Sequence, residues 1–179
     1  MKNINKLILI SLLALTVFLI NSKIVNAKSH KNKTILIHVV SDIKKDDGPP
    51  CVAFDMALTY LKLGYKVEML YDAEAAWNLK ISGKDRKNDL DRYIIPADLK
   101  KLIVDQLKDK NVNQLVNFGD FLSYMSKHGV KIYINGTWNV LTSVEKLLKG
   151  KVNMPKYAIP ITLKEMAKVF NNANTYMRY

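Results

Sequence analysis

The sequence predicts an α/β fold, a single three-layer α/β/α domain built on a mostly parallel sheet of about five strands. Three observations carry that reading. Residues 33–41 (KTILIHVVS) form an unbroken apolar and β-branched run, the pattern of a strand covered on both faces. Residues 51–63 place Val52, Ala53, Met56, Ala57, Tyr60 and Leu61 at helical spacing, and Gly64 follows as a left-handed cap. Residues 65–71 (YKVEMLY) return to a strand pattern, completing a βαβ unit with a right-handed crossover.

The remaining elements follow in order. Residues 73–79 read as a short helix, and 80–93 as a polar, aperiodic surface loop. Residues 96–110 carry Leu99, Leu102, Ile103 and Leu107 on one stripe behind Pro96, which suits a first helical turn. A further helix is expected over 118–127, ended by Gly129, and then a core strand over 130–134 (VKIYI). Asn135-Gly136-Thr137 should open a helix running to Leu148. A short strand over 157–160 is expected to stop at Pro160, and Thr162-Leu163-Lys164-Glu165 fits a capping box opening the last helix. Residues 175–179 supply a closing strand. There are no internal repeats.

Residues 1–27 read as an export signal: Lys2 and Lys6, an apolar run from Leu7 to Ile20, and the small-residue site Val25-Asn26-Ala27. That run is short for a membrane span, which needs about 20 residues, so no stable membrane insertion is expected after cleavage. The expected domain is residues 28–179, periplasmic or secreted. The chain carries a formal charge of +12, of which the three lysines of the signal account for +3. Only Arg86, Arg92 and Arg178 offer bidentate phosphate recognition, so no nucleic-acid partner is expected. No P-loop, GxGxxG, zinc pattern or GxSxG elbow occurs, and no cofactor or metal is expected.

The candidate chemistry lies outside the carboxyl ends of the strands, where open parallel sheets bind ligands. Three loops qualify: 42–50, 72 onward, and 135–138. Cys51, the sole cysteine, closes the first. With Pro50 as the first helical residue and Cys51 as the second, free N–H groups and the helix dipole would lower the thiol's pKa. A packed, inert thiol is the competing reading. Asp46 and Asp47, with Asp42, could gather a cation or simply solvate a loop. Asn135, Gly136 and Thr137 could present N–H groups to an anion or form a plain turn and cap. His38, in mid-strand, reads as a structural histidine. Phe54 and Leu58 widen the apolar arc of the first helix beyond what one sheet face needs, which predicts a homo-oligomer.

Taken together, the strand Thr34 to Val39, the acidic turn Asp46-Asp47, the helix opening Cys51-Val52-Ala53-Phe54-Asp55-Met56-Ala57, the strand Gly64 to Asp72, the segment Gly129 to Ile134 and the closing Thr162 to Met166 resemble the DsrE/DsrF-like family of small sulfur-relay proteins. The likeness spans almost all of residues 28–179. It implies a three-layer α/β/α domain, assembly into dimers, trimers or hexamers, and, in sulfur-carrying members, a persulfide cysteine just after the third long strand. Here that position reads Asn135-Gly136-Thr137-Trp138, without a thiol. The resemblance therefore implies either a sulfur-linked binding or assembly module with a small anionic or sulfur-containing ligand, or a thiol carrier using Cys51.

Overall fold

A computed structural model describes residue 30 and residues 32–179; the proposed export segment lies outside the described residues. The chain folds as a five-stranded sheet with every neighbouring pair parallel, in the order β4-β3-β2-β1-β5. The strands are β1 (Thr34–Val39), β2 (Lys66–Tyr71), β3 (Lys131–Asn135), β4 (Ala158–Ile161) and β5 (Thr175–Arg178). The helices are α1 (Gly48–Lys62), α2 (Asp89–Arg92), α3 (Ala97–Leu107), α4 (Phe118–Lys127), α5 (Gly136–Leu141) and α6 (Leu163–Asn172), with 3-10 turns at Ala73–Leu79 and Lys110–Gln114. The expected α/β/α layering is present.

Alternation along each strand divides the core in two. Ile35, Ile37, Val39, Val67, Met69, Tyr71, Ile132 and Ile134 face the layer that includes α1 and α4, and form the larger cluster. Leu36 and Leu70 face the other way, where they cluster with Ile161 of β4 and Val169 of α6. One helix is thus the whole second layer among the described residues, and both ends of that sheet face keep polar groups.

Phe54 and Leu58 do not extend to an outer surface. Both are fully buried, and the Phe54 ring packs 4.8 Å from Phe118 and 5.6 Å from Phe121, ring centre to ring centre. The apolar excess of α1 serves α4 rather than a second copy, which removes the ground on which a homo-oligomer was expected.

Four local expectations need correction. Helix α1 begins at Gly48, two residues before the expected first helical residue Pro50, because two prolines tolerate a first turn well. The expected loop 80–93 contains α2, closed by a reciprocal capping box between Asn88 and Asp91 and anchored by buried Leu90. The helix after β3 stops at Leu141 instead of Leu148, and Ser143 just beyond it takes a left-handed φ of 56°. Pro160 lies within β4 rather than ending it, which an edge strand permits. Gly64 and Gly129 do adopt the positive φ expected of helix terminators, 83° and 100°. The Thr162–Glu165 box is formed as predicted.

Candidate functional site

The start of α1 decides the character of Cys51. Gly48 N–H donates to the Asp46 carboxylate at 3.2 Å, Pro49 and Pro50 have no N–H, and Cys51 N–H donates to the Asp47 carbonyl at 3.0 Å. No amide of that first turn is left to stabilise an anion. Cys51 is the fourth helical residue and half-buried against the larger core cluster. Its thiol is pushed up to about 11, first by burial and then by the negative charges of Asp47 and Asp55. The expectation of a lowered pKa is therefore reversed. The prolines that mark the helix start also remove the donors a thiolate would use.

The acidic turn is likewise engaged locally. Asp46 makes the turn to Gly48, and Asp47 accepts a hydrogen bond from the Tyr93 hydroxyl. Asp42, 6 % exposed, accepts from Asn78 Nδ2 at 2.6 Å and from Lys44 N–H at 3.0 Å. These are the bonds of a pinned loop. Among the described residues, no group of three or more His, Cys, Asp or Glu side chains is placed to hold a metal ion.

On the third loop, the Asn135 side chain accepts from Thr137 N–H at 2.9 Å and Trp138 N–H at 3.1 Å. The N–H groups considered for an anion are thus occupied by the cap itself. A side chain at Gly136 would run into the backbone carbonyl of Leu148 and crowd that of Ile161, so this glycine serves a close backbone approach. No described hydrogen bond joins Asp46 or Asp47 to Asn135, Gly136 or Thr137.

Asn135 instead belongs to a polar chain crossing four strands near the carboxyl edge of the sheet. Its Nδ2 donates to Asp72 Oδ1 at 2.8 Å, and Asp72 Oδ2 lies 3.3 Å from His38 Nε2. His38 Nδ1 in turn lies 3.0 Å from the Tyr176 hydroxyl. Ala73 N–H adds a 2.7 Å bond to Asp72 Oδ1 while Ala73 holds a left-handed φ of 47°, a costly backbone state for alanine. The hydrogen bond with His38, assisted by those from Asn135 and Ala73, holds Asp72 down at about 2 against the opposing effect of burial. The His38 ring is 8 % exposed and meets Phe170 of α6 edge-on, whereas Tyr176 is 49 % exposed.

This chain ends at the place where the strand order reverses. From β1 the chain steps through β2 and β3 to β4, then returns by way of α6 to place β5 on the far side of β1. Parallel sheets bind ligands at such reversals, outside the carboxyl ends of the strands. A crevice of about 590 Å³ lies there, lined by Val40, Pro49, Val52, Arg178 and Tyr179. Its floor is tied by Val40 N–H to the Tyr179 carbonyl at 2.7 Å and by Tyr179 N–H to the His38 carbonyl at 2.9 Å. Arg178 forms no ion pair among the described residues.

A larger groove of about 770 Å³ lies beyond α5, where Val140, Val144, Leu147 and Val152 alternate with Ser143, Glu145, Lys146 and Asn153. Its carboxylate, Glu145, accepts from Asn153 N–H at 2.6 Å. The smaller crevice is the one at the strand-order reversal.

Sequence reasoning named the loop from Asp72 onward and counted Arg178 among the phosphate-capable arginines without making either a site residue, missed Tyr176, and placed His38 among structural groups. Asp72 was accessible as the first residue past a strand. Tyr176 and Arg178 were not, because nothing local says that the last strand lies beside the first. No family model matches the chain, and no curated protein does so.

Proposed function

We propose that this chain is an exported, DsrE-like binding module linked to sulfur metabolism, taking a small anionic or sulfur-containing ligand at the carboxyl edge of its sheet. The observation that carries the reading is the crevice between the ends of β1 and β5, with Arg178 in its lining; the polar chain Tyr176–His38–Asp72–Asn135 crosses the same sheet without forming part of that lining. A concave site with a few convergent polar groups on rigid strands is the usual form of a small-ligand pocket. Arg178 supplies the cation suited to planar or tetrahedral oxyanions.

The alternative, a sulfur carrier using Cys51, draws no support from a thiol raised to about 11. Backbone amide spectra recorded while sulfate, thiosulfate, sulfite or acetate is added test the binding reading. Shifts should concentrate at residues 38–41, 72–74 and 176–179. Shifts confined to other surfaces, or none with any of the four anions, would sink it.

A further inference from the structure

We infer that the loop joining α5 to β4 is a docking surface by which the protein settles on an anionic lipid bilayer. This surface is separate from the crevice, and the inference does not depend on the ligand reading made there.

The three most exposed large apolar side chains among the described residues lie on one stretch of chain: Leu141 at 73 %, Leu147 at 72 % and Val152 at 71 %. Leu147 and Val152 line the groove of about 770 Å³ together with Val140 and Val144, and Leu141 ends the helix that carries Val140. Helix α5 stops there, and the left-handed turn at Ser143 leaves Leu147 and Leu148 in a loop. Single exposed leucines are ordinary, but a cluster of them around one groove marks an interaction surface.

Charge decides what covers it. Residues 140–156 carry Lys146, Lys149, Lys151 and Lys156, all exposed. The turn of residues 80–87 is fastened beside them. Ile81 N–H donates to the Asn153 carbonyl at 2.8 Å, Arg86 Nη2 donates to the Val152 carbonyl at 2.9 Å, and an antiparallel bridge joins Ser82 to Lys87. That turn adds Lys80, Lys84, Arg86 and Lys87, again exposed. The acids of these two stretches are engaged: Glu145 is buried and accepts Asn153 N–H, and Asp85 pairs with Arg92 at 2.8 Å. Lys149 is paired with Glu165, while the other cations form no ion pair among the described residues.

A second copy would bring the same cations face to face, which like-charge repulsion opposes. A protein partner covers an interface core from which lysine is depleted. Here Lys146 and Lys149 flank Leu147-Leu148, and Lys151 precedes Val152, so the charges run through the middle of the apolar patch. An anionic bilayer satisfies both features at once. The leucine and valine side chains enter the boundary between headgroups and acyl chains, and the lysine ammoniums stay at phosphate level on their apolar stems. The surface lies on the bilayer without spanning it, since no helix of the described residues is long and apolar enough to cross a membrane.

The test places an environment-sensitive fluorophore on single cysteines of the full chain, with Cys51→Ala as background and Leu147→Cys, Val152→Cys and Leu102→Cys as labelled variants. Leu102, on α3, is exposed but lies outside both basic stretches. Vesicles of phosphatidylglycerol and phosphatidylcholine in equal parts should shift emission from positions 147 and 152 to the blue and leave position 102 unchanged. This readout reports the loop itself, whatever the apolar run Leu7 to Ile20 does. Vesicles of phosphatidylcholine alone should give no shift. Lys146→Gln combined with Lys151→Gln should weaken the response roughly fivefold per lysine removed, and salt at about 0.5 M should largely abolish it.

No shift at positions 147 and 152 with the mixed vesicles overturns the inference and leaves the groove to a protein partner. An equal shift with phosphatidylcholine alone, or an unchanged response in the lysine variant, overturns it as well. So does emission already blue-shifted before lipid is added: a second copy fills the groove if that shift grows with protein concentration, and another segment of the same chain if it does not.

Discussion

The start of α1 and the β1–β5 crevice adjoin the same edge of the sheet, yet they spend their polar groups in opposite ways. Around Cys51 every donor is either missing or engaged within the turn, and the nearby carboxylates of Asp47 and Asp55 discourage a second negative charge. Elsewhere on the sheet three donors converge on Asp72 and the hydrogen-bonded chain continues through His38 to the half-exposed Tyr176, while Arg178, which forms no ion pair among the described residues, lines the crevice. A helix start is useful to an anion only if its amides are free. A polar chain is useful only if it ends at solvent. The first condition fails at Cys51, and the second is met at Tyr176.

The largest effect that bears on this contrast is expected at Gly136. Gly136→Ala should cost about 3 kcal/mol, because the new methyl meets backbone carbonyls that cannot rotate away. Chemical denaturation followed by circular dichroism measures it. A variant of near-native stability that only loses anion binding would return Gly136 to the ligand site and spoil the contrast.

Next comes Asp72. A carboxyl held down at about 2 stabilises the fold above the ordinary carboxylate range near pH 4, and that contribution fades as pH falls through about 2. The side chain is partly exposed, so the full linkage value is screened and about 1.5 kcal/mol is the expected loss for Asp72→Asn at pH 7. The gap between the two proteins should close toward pH 2. A gap that stays constant with pH would mean that charge at Asp72 does not anchor the chain.

Asp55 supplies the reverse case. One oxygen of its carboxyl is buried without a partner beside a cavity of about 110 Å³ that Leu99, Ile103 and Leu107 help to line, and burial raises it to about 6. A raised carboxyl penalises folding once it must ionise, so stability should fall as pH rises from about 4 through about 6. Asp55→Asn should gain about 1 kcal/mol at pH 7.5 and nothing near pH 4, after allowance for partial exposure. Thermal melts at the two pH values decide this. A loss at pH 7.5 would show that the carboxylate has a partner after all, and the two aspartates would no longer be opposites.

The fold was legible because its strongest signals are long. Residues 34–39 are buried on both faces after Thr34, residues 66–71 bury Val67, Met69, Leu70 and Tyr71, and the helices between strands carry stripes that only burial explains. The site was legible in part. Asn135 was singled out as a cap, and it is one, but its amide nitrogen reaches Asp72 on the next strand, a contact fixed by sheet order rather than by spacing. Tyr176 lies in a four-residue strand, and 138 positions separate it from His38 in sequence. No period within such a strand announces its neighbour. At α1 the failure was one of detail. Pro50 was read as the first helical residue, so the Gly48 and Pro49 turn before it, which leaves no free N–H group, was not counted.

Cys51 should show the smallest change in stability and the clearest chemistry. It is half-buried and its Sγ is not among the recorded hydrogen-bonding atoms, so Cys51→Ala should alter stability by about 0.5 kcal/mol, within the range of ordinary surface changes. The thiol itself should be sluggish. Raised to about 11, it holds about three hundredfold less thiolate at pH 7.5 than a free cysteine near 8.5. Iodoacetamide should therefore modify the native chain far more slowly than the chain in denaturant, and polysulfide should add no mass to the folded protein within the same time. Rapid native labelling, with a mass gain from polysulfide that Cys51→Ala abolishes, would reverse the assignment. The thiol would then have found a source of stabilisation outside its own helix turn, and the carrier reading would take precedence over the crevice.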